Sequence, residues 1–151
     1  MEKKLIVMVG LPRSGKSTWA RAEASHVGAA IVSPDAIRLA LHGLRFAAEA
    51  EDHVWAIAKT MVRSLFLAGH DTVIVDATHV TKKRRDFWKP QTALLNWKWD
   101  IEFVHIPTPS DVCILRAVEE GDGAIIPVIR RMAGEFEPVD PSEGPLNRIG
   151  G

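Results

Sequence analysis

Residues 10–17 constrain the fold more than any other stretch, because they match the glycine-rich pattern G-x-x-x-x-G-K-[ST]. Gly10 and Gly15 allow the backbone to turn so that its N–H groups point into one concavity, which an anion can occupy. In this pattern Lys16 places its ammonium against the β- and γ-phosphates of a nucleotide, and the Ser17 hydroxyl ligates Mg²⁺. The pattern therefore predicts a phosphate-binding loop.

The residues on either side of this loop support the prediction. Residues 5–9 are an unbroken apolar run, as a buried parallel strand requires, and residues 18–24 are rich in helix formers. A glycine-rich turn with an incidental lysine would not require this order of strand, loop and helix. We therefore expect ATP to bind through the loop and the start of the helix, that is, through Gly10, Leu11, Pro12, Arg13, Ser14, Gly15, Lys16, Ser17 and Thr18.

Length and charge limit the classes of protein to consider. A chain of 151 residues with 46% hydrophobic and 25% charged residues suits a single domain over residues 1–151. Its 19 basic and 19 acidic residues give a net charge of zero. Dedicated binders of duplex DNA are usually basic, so this balance argues against tracking along an extended phosphate backbone. A small basic pocket that holds the end of one strand is compatible with it.

The lack of a signal-peptide layout and the single cysteine favour a cytoplasmic protein. The N-terminus lacks the layout of a signal peptide, and the apolar runs are far shorter than a membrane span, so we expect no membrane partner. The single cysteine, Cys113, cannot form an internal disulfide, and nothing else requires an oxidising compartment. We interpret Cys113 as a small buried hydrophobic residue rather than a nucleophile.

Apolar runs alternate with helix-like segments, which predicts an α/β fold of the phosphate-loop NTPase type. We expect three layers, with helices flanking a mostly parallel sheet of about four strands. The strands are predicted over residues 5–9, 29–32, 72–75 and 99–106. The helices are predicted over residues 16–25, 33–42, 46–68, 81–89, 109–118 and 127–133, and the segment from residue 136 onward is predicted to be irregular.

Two acids and an arginine follow predicted strands, and parallel sheets bind ligands at the carboxyl ends of their strands. Asp35 either accepts a proton from an attacking hydroxyl or only complements the dipole of its helix. Arg38, three residues later, either binds a phosphate of the acceptor or forms a surface pair with Asp35. Asp76 ends the strand V-I-V-D, and we favour a role in holding Mg²⁺ through water over a turn aspartate.

Other charged and aromatic residues have structural interpretations. The basic run at residues 82–85 is typical of a solvated helix face. Trp88, Trp97 and Trp99 have the surfaces on which bases stack, but large aromatics beside an apolar strand are usually core. The six histidines show no zinc-ligand spacing.

Three segments together resemble a known family: G-L-P-R-S-G-K-S-T-W-A-R, then S-P-D-A-I-R, then V-D-A-T-H-V-T-K-K-R-R. They are similar to the 5′-kinase domain of phage-type polynucleotide kinases, within the wider group of small phosphate-loop kinases, over the chain from the first strand to about residue 132. The resemblance implies transfer of the ATP γ-phosphate to the 5′-hydroxyl of DNA or RNA. Lys16 and Ser17 would bind ATP and Mg²⁺, and Asp35 would be the general base. Arg38 would bind the acceptor's 3′-phosphate.

The resemblance also implies that Asp76 helps to fix Arg38 and the water shell of the metal. It further implies a mobile lid at about residues 119–127. Two positions depart from the family pattern. The lid of such kinases carries an arginine that stabilises the transferring phosphoryl group, whereas E-E-G-D-G-A has no basic residue. Either a nearby arginine replaces it or catalysis is slow; the candidates are Arg116, Arg130 and Arg131. His79 stands where many relatives carry Asn.

Two further functions stay open at this stage. A kinase of a small hydroxyl-bearing metabolite, such as a sugar, nucleoside or antibiotic, would use the same scaffold and suits the neutral charge and short length. A nucleotide-binding module with weak turnover is suggested by the acidic lid.

Overall fold

The sheet at the centre of the fold has five parallel strands. The structure, a computed structural model, describes residues 3–43, 45–90 and 99–150, so Trp97 lies outside the described residues. The strand order is β2-β3-β1-β4-β5, and β1 (Lys3–Val9) is central. Its neighbours are β3 (Thr72–Val75) and β4 (Trp99–His105), while β2 (Ala30–Val32) and β5 (Leu146–Arg148) lie at the edges. The predicted α/β fold with a parallel sheet is confirmed.

Helices connect the strands and largely follow the sequence prediction. Ser33 caps α2 (Pro34–His42), because its Oγ accepts a hydrogen bond from the Ala36 N–H at 3.2 Å and Pro34 occupies the first turn. The helix predicted over residues 46–68 is shorter, since a 3₁₀ turn at Ala48–Ala50 precedes it. The helices are α1 (Lys16–Val27), α2 (Pro34–His42), α3 (Glu51–Leu67), α4 (Lys82–Asp86), α5 (Ser110–Glu119) and α6 (Ile126–Glu135).

Both faces of the sheet are covered, which makes three layers. Successive β1 side chains point to opposite faces, so Leu5 and Val7 belong to one cluster and Ile6 belongs to another. The first cluster contains the buried side of α3, and the second contains Ala20 of α1. A third, smaller cluster packs Leu11 of the phosphate loop against α5 and α6. Packing of the Leu11 side chain against α5 and α6 therefore holds the loop at the edge of the sheet.

The fifth strand was missed by the prediction of an irregular C-terminal segment. β5 pairs with β4 in parallel, with Val104 opposite Asn147, although all three β5 residues are exposed. A short strand without a buried face has no apolar alternation, and Pro145 directly before it signals a turn.

Several expectations about the core can be compared with burial directly. Trp88 and Trp99 are 0% and 4% exposed, and Cys113 is fully buried, so their predicted core roles are confirmed. The interpretation of residues 82–85 as a solvated face is wrong for Arg85, which is fully buried and paired with Glu143 at 2.9 Å. In the part of the chain that the structure describes, the helices are too short or too polar to cross a membrane.

Candidate functional site

The phosphate loop joins β1 to α1 and curves tightly. A Cβ at Gly10 would lie 2.8 Å from Ser14 Oγ and 2.9 Å from the carbonyl oxygen of Ile106, so this position accepts only glycine without rearrangement. Gly15 has a φ of 103°, in the left-handed region that disfavours side chains, directly before α1. Both positions therefore require glycine, as the pattern predicts.

Lys16 lies under this loop and is almost buried. Its Nζ donates a hydrogen bond to the carbonyl oxygen of Leu11 at 2.9 Å. Burial lowers the pKa of Lys16, and the carboxylates of Asp76 and Asp35 oppose that effect. A bound phosphate would add negative charge at the same place and favour the protonated ammonium. Lys16, Asp35 and Asp76 follow the carboxyl ends of β1, β2 and β3, which are neighbouring parallel strands, so the topology places all three at one edge of the sheet.

Ser17 and Asp76 fit the chemistry of a magnesium site. Ser17 Oγ donates a hydrogen bond to Asp76 Oδ2 at 2.6 Å, which joins the start of α1 to the end of β3. Hydroxyl and carboxylate oxygens are hard ligands of the kind that Mg²⁺ prefers. Within the described ranges no three His, Cys, Asp or Glu side chains cluster as metal ligands, so phosphate oxygens and water would supply the rest of the shell.

Asp35, Arg38 and Glu51 form a connected set beside the loop. Arg38 Nη1 donates to Asp35 Oδ1 at 2.8 Å, while Nε and Nη2 donate to the two oxygens of Glu51 at 2.9 and 2.7 Å. The Asp35 side chain is 86% exposed, whereas those of Arg38 and Glu51 are 14% and 15% exposed. The hydrogen bond from Arg38 lowers the pKa of Glu51 below its usual range. Glu51 was missed from the sequence, where it lies inside the helix predicted over residues 46–68 without a distinguishing pattern.

His79 is buried directly behind the end of β3. Its Nδ1 lies 2.6 Å from the carbonyl oxygen of Met8, and its Nε2 accepts a hydrogen bond from Trp88 Nε1 at 3.1 Å. Since the indole N–H can only donate, Nε2 carries no proton and Nδ1–H donates to Met8. Burial lowers the pKa of His79 to about 3. The neutral ring therefore fastens the segment after Asp76 to β1.

The segment predicted to be a lid lies against the phosphate loop. Asp122 accepts hydrogen bonds from Arg13 and from Arg45, both at 2.5 Å, and Glu120 also pairs with Arg13. Arg13 has a φ of 67°, which is unfavourable for a residue with a side chain. Its guanidinium thus links the phosphate loop to the acidic segment, which in turn contacts the connection between α2 and α3.

The three arginines proposed to replace the missing lid arginine differ in position. Arg116 Nη1 donates to the carbonyl oxygen of Arg13 at 3.0 Å and lies near Gly15. Arg131 is exposed and pairs with Glu135 at 3.6 Å, one turn further along α6, and Arg130 is exposed as well. Of the three, Arg116 alone has a described contact with the phosphate loop.

Comparison with solved structures supports this fold. Kti12 from Chaetomium thermophilum, solved with ADP-AlF3, superposes with a TM-score of 0.73 at 19% identity over 96% of this chain and 88% of that chain. A gluconokinase from Sinorhizobium meliloti gives a TM-score of 0.65 at 18% identity over 98% of this chain and 83% of that chain. A chain of a Pnkp1/Rnl/Hen1 complex gives 0.65 at 28% identity over 76% of this chain. This chain spans only 38% of that last protein.

A search of curated proteins found no significant match. A family model does match: the model described as an AAA domain covers residues 5–137, which is most of the chain. That stretch includes the phosphate loop, Asp35, Arg38 and Asp76. The chain therefore belongs to this AAA domain family.

Proposed function

We propose that the protein is an ATP-dependent phosphotransferase that moves the γ-phosphate of ATP to a hydroxyl group, the favoured acceptor being the 5′-hydroxyl of a polynucleotide. The observation that supports the proposal is that Lys16, Ser17, Asp35 and Asp76 all follow the carboxyl ends of neighbouring parallel strands, with Ser17 hydrogen-bonded to Asp76. A nucleotide held by the phosphate loop would present its terminal phosphate to the carboxylate of Asp35. A binding module without chemistry would not need that exposed acid.

In the proposed reaction the acceptor oxygen forms a bond to the γ-phosphorus while the bond from that phosphorus to the bridging oxygen of ADP breaks. Asp35 orients the attacking hydroxyl and takes its proton, which is lost late in a loose transition state. Lys16 stabilises negative charge on the phosphate oxygens, and Arg116, which contacts the phosphate loop, would add a second positive charge. Mg²⁺ held beside Ser17 and Asp76 would neutralise charge on the phosphates.

Two observations favour a polynucleotide acceptor. The D-x-x-R and D-x-T segments resemble those of polynucleotide kinases, and solved neighbours include the Pnkp1/Rnl/Hen1 RNA repair complex. The second candidate is a kinase of a small metabolite, because a gluconokinase and another sugar kinase match almost the whole chain. The binding of the acceptor's 3′-phosphate by Arg38 stays a prediction. The movement of the lid and the cytoplasmic location stay predictions as well.

Incubation with labelled ATP and a panel of acceptors tests the proposal. The panel contains an oligonucleotide with a 5′-hydroxyl, the same oligonucleotide already phosphorylated, and a set of sugars, sugar acids and nucleosides. We expect label on the first oligonucleotide only. Lys16→Ala should abolish transfer without unfolding the protein, whereas Lys83→Ala, at an exposed position, should not change it. Label on a metabolite instead would select the second candidate, and near-normal turnover by Lys16→Ala would contradict the phosphate-loop assignment.

A further inference from the structure

Arg38 has little capacity left to hold an acceptor. A guanidinium has five N–H donors, and three of those in Arg38 already donate to Glu51 and Asp35. The pair with Glu51 is bidentate, which fixes the plane of the guanidinium. The geometry is that of a side chain that holds Asp35 in place, and two carboxylates already balance its charge.

Arg84 presents the opposite case. Its guanidinium lies over the ring of Trp55, 4.1 Å from the ring centroid, and is half-buried. Among the residues that the structure describes, this guanidinium has neither a hydrogen-bond acceptor nor an ion-pair partner within contact distance. Stacking on an aromatic face leaves the N–H donors in the plane of the group unused, so they remain available to an anion.

Trp55 is a rigid support for this arginine. Its ring makes edge contacts with Phe87, His79 and Trp88, with centroid distances of 5.8, 5.8 and 6.3 Å. The Trp55 side chain itself is buried. A guanidinium on such a platform loses little conformational freedom when a ligand binds.

Arg84 also lies close to the acceptor side of the site. Trp55 is one turn after Glu51 on α3, so the two side chains share a face of that helix. Burial lowers the pKa of Arg84, and the charges of Glu51, Arg38 and Asp52 also act on it. Glu51 is paired with Arg38, which holds Asp35, whereas the guanidinium of Arg84 is uncommitted.

We propose that Arg84 binds an anionic group of the acceptor, while Arg38 is a positioning residue that holds Asp35 through its pair with Glu51. The acceptor is then a hydroxyl compound that also carries a phosphate or carboxylate. The inference rests on the proposed phosphotransfer, and it moves the acceptor contact from α2 to α4.

Direct titration in the presence of ADP tests Arg84 independently of turnover. One arm compares a nucleoside 3′-monophosphate with the nucleoside, and the other compares D-gluconate with D-glucose. The wild-type protein should bind the anionic member of one pair more tightly. Arg84→Ala should weaken that binding about ten- to hundredfold, and Arg84→Lys should recover part of it. Arg21→Ala, an exposed control on α1, should have no effect.

The kinetic split between the two arginines provides the second test. Arg84→Ala should raise KM for the anionic acceptor with kcat nearly unchanged, whereas Arg38→Ala should lower kcat for charged and uncharged acceptors alike. Equal titration curves for wild type and Arg84→Ala would overturn the inference, as would an Arg38→Ala variant that loses only the anionic preference. A wild-type protein that binds the anion through Arg84 but transfers no phosphate would instead contradict the proposed function.

Discussion

The Asp35 side chain is 86% exposed, and this exposure separates its possible roles. An exposed first-turn acid contributes about 0.3–1 kcal/mol to stability through the helix dipole, whereas a general base contributes about 10²–10⁴ to rate. Asp35→Asn should therefore lower turnover at least about a hundredfold, with ATP affinity unchanged and a Tm within a few degrees of wild type. Steady-state kinetics and thermal unfolding measure the two effects.

Asp111 offers a matched control, because it is also an exposed acid in the first turn of a helix. Asp111→Asn makes the same chemical change and should leave turnover within about twofold of wild type. An Asp35→Asn variant as active as wild type, or one that fails by unfolding, would contradict the catalytic role.

At the residue scale, local patterns were informative about some positions only. The positions of Lys16 and Ser17 could be predicted because they belong to a contiguous loop whose geometry is set by its own glycines. The position of Asp76 could be predicted because it directly follows an apolar strand. Glu51 has no such signal, because its pairing with Arg38 depends on the way α2 and α3 pack, which no short pattern encodes.

At the element scale, ion pairs join the acidic segment after α5 to the phosphate loop and to Arg45, in addition to its backbone hydrogen bonds with α5. Asp122→Asn removes the charge that links Arg13 to Arg45, so the segment should open more often. We expect amide exchange at residues 120–122 to rise about two- to fivefold, measured by mass spectrometry, and high salt should have the same effect on wild type. Glu119→Gln is the control, since this neighbouring acid is exposed and has no described partner. Unchanged exchange in Asp122→Asn would show that the ion pairs do not hold the segment.

The contact of α4 with the C-terminal segment is a buried ion pair. Arg85 donates to both oxygens of Glu143 and to the carbonyl oxygens of His79 and Pro138. Glu143→Ala leaves the buried guanidinium without its carboxylate and should cost about 3–5 kcal/mol, measured by urea unfolding. The double change Arg85→Met with Glu143→Ala should recover part of the loss.

The exposed pair of Arg131 and Glu135 is the matched control for this measurement. Glu135→Ala should change the free energy of unfolding by less than about 1 kcal/mol. If Glu143→Ala lowered the free energy of unfolding by no more than Glu135→Ala, the buried pair would stabilise the fold no more than an exposed pair does. The sequence could not distinguish these two pairs, because the basic run at residues 82–85 looks uniformly polar and only the distant Glu143 explains why Arg85 is inside.

At the scale of the whole molecule, the neutral His79 should make stability depend on pH. The folded pKa is about 3, below the ordinary histidine value of 6.5 that we take for the unfolded chain. As pH falls below about 6.5, the unfolded chain binds a proton that the folded ring cannot, so stability decreases by about 1.4 kcal/mol per pH unit until about pH 3. His79→Asn should reduce this slope over the same interval, as measured by urea unfolding from pH 7 to 4. Asn also tolerates the φ of 43° at this position.

His26, exposed on α1, is the control for the pH experiment, and His26→Asn should keep the wild-type slope. Parallel curves for wild type and His79→Asn would exclude His79 as the source of the acid sensitivity.

The global fold was predictable to the extent that its elements are locally encoded. Apolar runs and caps indicate four parallel strands and the helices between them. The order of strands depends on packing across the whole sheet, and β5 has neither an apolar face nor length to reveal it.

The place of β5 in the chain also affects how the protein is made. A ribosome releases the chain from its N-terminus, so β1, β3 and β4 have emerged before Leu146–Arg148. Until β5 docks, the outer edge of β4 presents unpaired N–H and C=O groups, to which a neighbouring nascent chain can add a strand. The nascent chain is therefore exposed to aggregation through this edge until the last described strand has left the ribosome.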